Sequence, residues 1–270
     1  MKHENSSTNP LLVQAVQRAI ERRRRLEASD PVLFAKRCGF TCDDWQAELL
    51  RARAKQMILL CSRQTGKSTA TSILALHEAL YFAPALVLLL SPSLRQSQEL
   101  FRKVKDALAT LGMAPTEIEE ESALRLELAN GSRIVCLPGK EATIRGFSGV
   151  ALLVVDEASR VNDSLYASIR PMLAVSGGRI ILLSTPCGKR GFFYREWSEG
   201  GQNWHRAKIT ANECPRISRE FLNEEMRAMG SWWFNQEYEC RFVDTIDQIF
   251  RSEDIEAALS SEVKPLEWWQ

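Results

Sequence analysis

Eight consecutive residues, Cys61-Ser62-Arg63-Gln64-Thr65-Gly66-Lys67-Ser68, carry the most specific chemistry in the chain. A short polar loop running into Gly-Lys-Ser lets backbone N–H groups and a helix N-terminus cradle phosphate oxygens. The lysine then reaches the β and γ phosphates, and the serine hydroxyl holds Mg²⁺. Only the first position departs from this P-loop pattern, with Cys61 in place of glycine. With Thr69, the next residue of the helix start, residues 62–69 form the predicted phosphate-binding set. Further on, Leu152-Leu153-Val154-Val155-Asp156-Glu157 is an apolar run closing on two carboxylates. One carboxylate at a strand tip, Asp156, suits the hydrated Mg²⁺, and the next, Glu157, suits the base that orients or deprotonates the attacking water. Gly-Lys-Ser alone can arise by chance, and Asp-Glu alone can cap a helix. Together they predict a nucleotide hydrolase.

The elements that must position these residues follow from periodicity. Residues 57–61 read as a strand, 67–80 as a helix, 85–91 as a strand and 94–111 as a long helix. Residues 124–128 and 133–137 alternate around Asn130-Gly131, a hairpin signature. The runs 150–155 and 179–183 are continuously apolar, as strands buried on both faces are, and the second closes on Ser184-Thr185-Pro186. Strands alternating with helices imply an α/β fold with a mostly parallel sheet and ligands at the strand ends. Upstream, Leu12, Val16, Ala19 and Ile20 predict a helix from near Pro10. Asp30-Pro31 predicts a capped second helix, and Asp43 or Thr41 caps a third that carries Trp45, Gln46 and Leu49. The expected division is a disordered tail over 1–9, N-terminal helices packed on the core over 10–55, the catalytic core over 56–210, and a helical lid and linker over 211–270.

Composition sets bounds. The chain has 270 residues, a net charge of +1 and a 45% apolar content, enough for one sizeable core. A near-neutral charge means that any nucleic-acid contact rests on local patches. The run Arg22-Arg23-Arg24-Arg25 reads as the solvated end of the first helix, and Trp232-Trp233-Phe234 as packing. The apolar stretch 80–90 is short for a membrane span and is broken by Pro84. The N-terminus lacks a signal-peptide pattern, so a cytoplasmic protein without membrane contact is expected. Seven scattered cysteines indicate no disulfide framework, and Cys38 with Cys42, lacking a second pair, indicates no zinc site.

A P-loop without its first glycine, written Ser-Arg-Gln-x-Gly-Lys-Ser, resembles that of the large terminases of tailed bacteriophages, and the likeness runs over residues 30–255. Trp45-Gln46, Ser91-Pro92-Ser93-Leu94-Arg95-Gln96-Ser97, Ile144-Arg145-Gly146, Ser184-Thr185-Pro186-x-Gly188, Phe193-Tyr194, Phe234-x-x-Glu237-Tyr238 and Phe242 are all similar to that family. The resemblance implies a P-loop NTPase fold of the RecA-like kind and an ATPase that drives double-stranded DNA into procapsids, with ATP and Mg²⁺ as cofactors. It also implies a homo-oligomeric ring, pentameric in the family, working with the portal protein and the small terminase subunit. Gln46 would read the adenine, with Trp45 either bordering it or serving as core. Arg63 would sense the γ-phosphate or else pair with a carboxylate. Ser184 and Thr185 would couple hydrolysis to motion. Arg145 would act as an arginine finger on the neighbouring subunit, or pair with Glu141. Complete members continue into an RNase H-like nuclease domain, and no matching acidic cluster follows here, so no nuclease activity is expected of this chain. Two rivals keep the same motifs: a helicase-type translocase, and a nucleotide-binding regulator that does not turn over.

Overall fold

A computed structural model describes residues 10–113, 117–139, 146–244 and 257–258. Its centre is a sheet that, among the described residues, has eight strands: β1 (Gln56–Cys61), β2 (Leu86–Ser91), β3 (Ile118–Glu121), β4 (Arg125–Leu128), β5 (Arg133–Pro138), β6 (Val150–Asp156), β7 (Arg179–Ser184) and β8 (Trp204–Ile209). They lie in the order β3-β4-β5-β2-β6-β7-β1-β8. Every pairing from β5 to β8 is parallel. The expected hairpin forms, turning at Gly131 with φ of 80°. Its second strand, β5, continues the main sheet beside β2. Two strands escape the periodicity. β3 is acidic and exposed, and β8 (Trp-His-Arg-Ala-Lys-Ile) is an edge strand whose polar middle hides its pattern.

Strand residues alternate between two apolar layers, as a period of two requires. Met57, Leu59, Val87, Leu89, Leu152, Val154, Ile181 and Leu183 face one cluster. It is closed by α2 (Pro31–Arg37), α3 (Asp44–Arg51), α4 (Lys67–Tyr81) and α5 (Leu94–Thr110), through side chains such as Phe34, Leu50, Leu74 and Phe101. Ile58, Leu60, Leu88, Leu90, Leu153, Val155, Ile180 and Leu182 face the other, closed by α6 (Asp163–Ile169) and α7 (Gly191–Ser198) through Leu165, Ile169, Phe192 and Phe193. Each fully buried aliphatic side chain contributes about 1.5–3 kcal/mol. This two-sided burial fixes the register that lines up the strand ends. A third, smaller cluster of Ala211, Leu222, Phe234 and Tyr238 holds α8 (Arg219–Glu237) beside the sheet.

The N-terminal helices dock unequally. Asp30 caps α2, accepting from Val32 N at 3.1 Å. The first helix, α1 (Pro10–Ser29), is anchored near its end. There Glu27 is buried, accepting from Tyr81 Oη at 2.5 Å and Arg37 Nη1 at 3.1 Å, while its carbonyl faces His77 Nε2. Leu12, Val16 and Ile20 stay exposed. Within residues 10–55, α2, α3 and the last turn of α1 pack on the body. The tail over 1–9 and the part of the expected lid and linker beyond residue 244 lie outside the described residues, apart from the helical Ala257 and Ala258. None of the described helices is long and apolar enough to cross a membrane.

Candidate nucleotide-hydrolysis site

The site gathers at the carboxyl ends of β1, β6 and β7, with β7 lying between the other two. β1 runs straight through Cys61, which is buried and pairs in register with Ile209 of β8. The position that is usually glycine is strand here, and so needs no glycine's freedom. The chain then turns. Ser62 N donates to Ile209 O at 2.8 Å, Thr65 Oγ1 donates back to Ser62 O at 3.1 Å, and Gln64 (φ 61°) and Gly66 (φ 83°) are left-handed on either side of Thr65. Such a turn aims consecutive N–H groups into one concavity, and α4 opens directly behind it at Lys67, so the loop is built to hold anionic oxygens. Gly66 is demanded twice over. Its backbone is left-handed, and a Cβ there would lie 2.8 Å from Gln46 Nε2.

That contact identifies what props the loop from beneath. Gln46 is fully buried; Nε2 donates to Thr65 O at 2.9 Å, and Oε1 accepts from Asp43 N at 2.9 Å. Arg216 donates to the same Thr65 carbonyl at 3.0 Å and to Asp43 Oδ1 at 2.5 Å. Trp45 is half-buried against the first core cluster, in a cleft shared with Met57, Leu59, Ile209 and Glu213. Thr69 donates its N–H to Gly66 O at 3.1 Å, within the first turn of α4.

Opposite the loop stand the two carboxylates. Ser68 Oγ donates to Asp156 Oδ2 at 2.8 Å, and Lys67 Nζ lies 3.0 Å from Glu157 Oε1. Burial pushes the Asp156 carboxyl above its usual range, with Glu157 adding to the rise and Lys67 and Ser68 pulling it back. Burial also works against the Lys67 ammonium, but Glu157 and Asp156 outweigh it and hold its pKa above the ordinary lysine value. A hydroxyl and a carboxylate face to face suit a hard cation that takes few protein oxygens and keeps its waters and phosphates, as Mg²⁺ does. Consistent with so sparse a donor set, no cluster of three or more His, Cys, Asp or Glu that could hold a metal occurs among the described residues.

Glu157 is left-handed (φ 52°) and opens a 3-10 turn, Ala158–Arg160, that brings Arg160 back beside it. Glu157 Oε2 lies 3.3 Å from Arg160 Nη1 and 3.4 Å from Ser184 Oγ. Arg160 Nη1 also donates to Thr185 Oγ1 at 3.2 Å, while Ser159 Oγ bridges Ser184 Oγ and Thr185 O at 2.8 Å each. The strand end after β7 is thus stitched to the acidic tip. Arg63 is paired: Nε donates to Glu237 Oε2 at 2.5 Å, at the end of α8. Sequence reasoning missed Ser159, Arg160, Arg216 and Lys103, and gave Glu237 no part in the site. Lys103, on α5, is a half-buried ammonium whose pKa burial lowers and nearby Asp156 partly restores. The Glu157-x-x-Arg160 spacing was a visible signal for an i, i+3 pair. Nothing local in the sequence linked Glu237 to Arg63. Arg145 and Glu141 lie outside the described residues.

A sequence model of the family described as "Terminase large subunit, T4likevirus-type, N-terminal" matches residues 58–257. The large terminase subunit of Thermus phage G20c is 25% identical over 267 residues, covering 86% of this chain and 54% of that protein. The probable large subunit of Enterobacteria phage P7 is 31% identical over 191 residues, 62% of this chain and 37% of that one. The chain thus spans about half the length, or less, of these curated relatives. Among solved structures, the large terminase ATPase domain of Thermus phage P74-26 superimposes with a TM-score of 0.69 at 22% identity, over 77% of this chain and 97% of that one. The large terminase of a thermophilic bacteriophage, solved in complex with ADP, gives 0.62 at 14% identity, over 75% of this chain and 54% of that one.

Proposed function

The chain belongs to the terminase large-subunit family, matching its N-terminal part, and from that premise we propose that it is the ATP-hydrolysing motor portion of a viral DNA-packaging machine. One observation carries the reading: Lys67 and Ser68 of the phosphate loop each meet one member of the acidic pair, Glu157 at 3.0 Å and Asp156 at 2.8 Å. Two P-loop and two acidic-tip side chains, from elements far apart in sequence, therefore converge where a triphosphate would lie on the loop.

Ser68 and Asp156 would hold Mg²⁺, which supplies charge neutralisation at the β and γ phosphates. Lys67 draws to the phosphate oxygens, and Glu157 orients and deprotonates the attacking water. Gln46, buried with its amide engaged by Thr65 O and Asp43 N, supports the loop and would have to give up one of these partners to read the base, while Trp45 anchors its helix in the core. Arg63 leaves Glu237 for the γ-phosphate, and Ser184 with Thr185 passes the change to β7. The finger role of Arg145 belongs to a ring of subunits. Double-stranded DNA, the portal of the procapsid, the small subunit and the host cytoplasm complete the proposed setting, in keeping with the family. The ADP-bound terminase of the thermophilic phage supports nucleotide binding by this fold. The test is phosphate release with and without double-stranded DNA and portal-bearing procapsids. Turnover that persists in Lys67→Ala overturns the assignment, and strand separation of a duplex by the wild type favours a helicase.

A further inference from the structure

Five side chains of alternating charge form a chain of four contacts that starts and ends on the phosphate loop. Lys67 Nζ meets Glu157 Oε1 at 3.0 Å, and Glu157 Oε2 meets Arg160 Nη1 at 3.3 Å. Arg160 Nη2 lies 3.9 Å from Glu237 Oε1, and Glu237 Oε2 takes Arg63 Nε at 2.5 Å. Both ends lie on the loop, since Lys67 and Arg63 both belong to it. Its middle member, Arg160, touches three separate pieces of the fold: the acidic tip, Thr185 after β7, and the end of α8.

The two outer cations are the ones that phosphate oxygens would recruit. When they go, Glu157 and Glu237 each lose a partner, and Arg160 is the cation left between them. Glu157 is additionally poorly placed to hold itself. It sits in a left-handed backbone, flanked by the like charge of Asp156, with Ser184 as a neutral neighbour at 3.4 Å. Glu237 is nearly buried, and among the described residues its Oε1 otherwise receives Gln236 Nε2 alone, at 3.1 Å. We propose that Arg160 is a positioning residue that keeps Glu157 aimed at the attacking water once Lys67 has turned to the phosphates, and that ties this aim to Thr185 and to Glu237. The inference rests on the hydrolytic reading above and goes beyond it, assigning a role to a residue outside the two motifs. It also gives a reason for the 3-10 turn: a regular helix after Glu157 would not need the left-handed start that folds Arg160 back over the carboxylate.

The experiment compares wild type, Arg160→Ala, Arg160→Gln, Arg160→Lys, Glu157→Gln and the double variant Glu157→Gln/Arg160→Ala, each checked by thermal melting. Steady-state phosphate release gives kcat and KM, and a fluorescent mant-ATP titration gives binding. Arg160→Ala and Arg160→Gln should bind mant-ATP as the wild type does, with KM kept and kcat down ~100-fold, the loss typical of a mis-aimed group. Arg160→Lys should recover much of kcat. The double variant should be no slower than Glu157→Gln alone, because the arginine acts through that carboxylate. Wild-type kcat in both Arg160→Ala and Arg160→Gln overturns the proposal, as does a loss that resides in binding. A double variant slowed by the product of the two single effects also overturns it. Lys67→Ala, run alongside, separates the two levels. If it turns over normally the hydrolytic reading fails, whereas an inert Lys67→Ala beside a fully active Arg160→Ala sinks only the role of Arg160.

Discussion

Strand β7 starts and finishes among buried polar groups, and its two ends are built differently. At the start, Arg179 is nearly buried, donating to Ala52 O at 2.8 Å and Ala54 O at 3.4 Å, with Glu78 Oε2 at 3.8 Å. Burial lowers the Arg179 pKa and raises that of Glu78, each countered by the other. Two of these partners are backbone carbonyls of the segment between α3 and β1, which have nowhere to go. At the finish, Ser184 and Thr185 meet Glu157, Ser159 and Arg160, mostly through side chains that have other partners within reach. A charge held by backbone is structural glue. Side-chain charges arranged in series can exchange partners when a triphosphate arrives, and this is the difference between a joint and a working part.

The largest expected effects fall at the working end and spare stability. Glu157→Gln should still bind mant-ATP yet lose ~10²–10⁴ in kcat, as removal of a general base does, whereas Asp156→Ala should lose Mg²⁺-dependent binding. Identical binding defects in the two would break the division of roles. At the static end the pattern reverses. Arg179→Met should destabilise by about 3–5 kcal/mol in urea unfolding, because it removes a cation from the mostly buried Glu78 carboxylate and leaves the Ala52 and Ala54 carbonyls without their donor, with kcat intact in the folded fraction. Adding Glu78→Gln should restore part of that loss, and a kcat defect in Arg179→Met would show that the two ends are not independent. Cys61→Gly, which rewrites the loop in its commoner form, should leave turnover alone. It should cost about 1–2 kcal/mol from a strand interior and an emptied apolar site. Smallest of all, Leu12→Ser on the exposed face of α1 should shift stability by no more than about 0.5 kcal/mol; a larger loss would mean that this face is covered.

The candidate site at the strand ends was legible because its signals are local. A phosphate loop needs its glycine, lysine and serine in sequence, and a two-sided strand must be apolar throughout, so residues 62–69, Asp156, Glu157, Ser184 and the principal parallel strands could be read directly. Asp30-Pro31 announced the start of α2 for the same reason. Cys61 was legible as a departure, but only its pairing with Ile209 explains why the departure is harmless. The rest depends on residues distant in the chain. β8 carries too much polarity for a periodic signal, because among the described residues one of its edges has no neighbour in the sheet. Gln46 beneath Thr65, Arg216 beside it and Glu237 on Arg63 are side chains whose meaning is their partner, and no spacing rule names a partner across 174 positions. The sequence by itself determined the candidate groups for the chemistry and the strands that carry them. Which distant charges restrain those groups was decided by tertiary structure, since the order of strands and the docking of α8 set those distances.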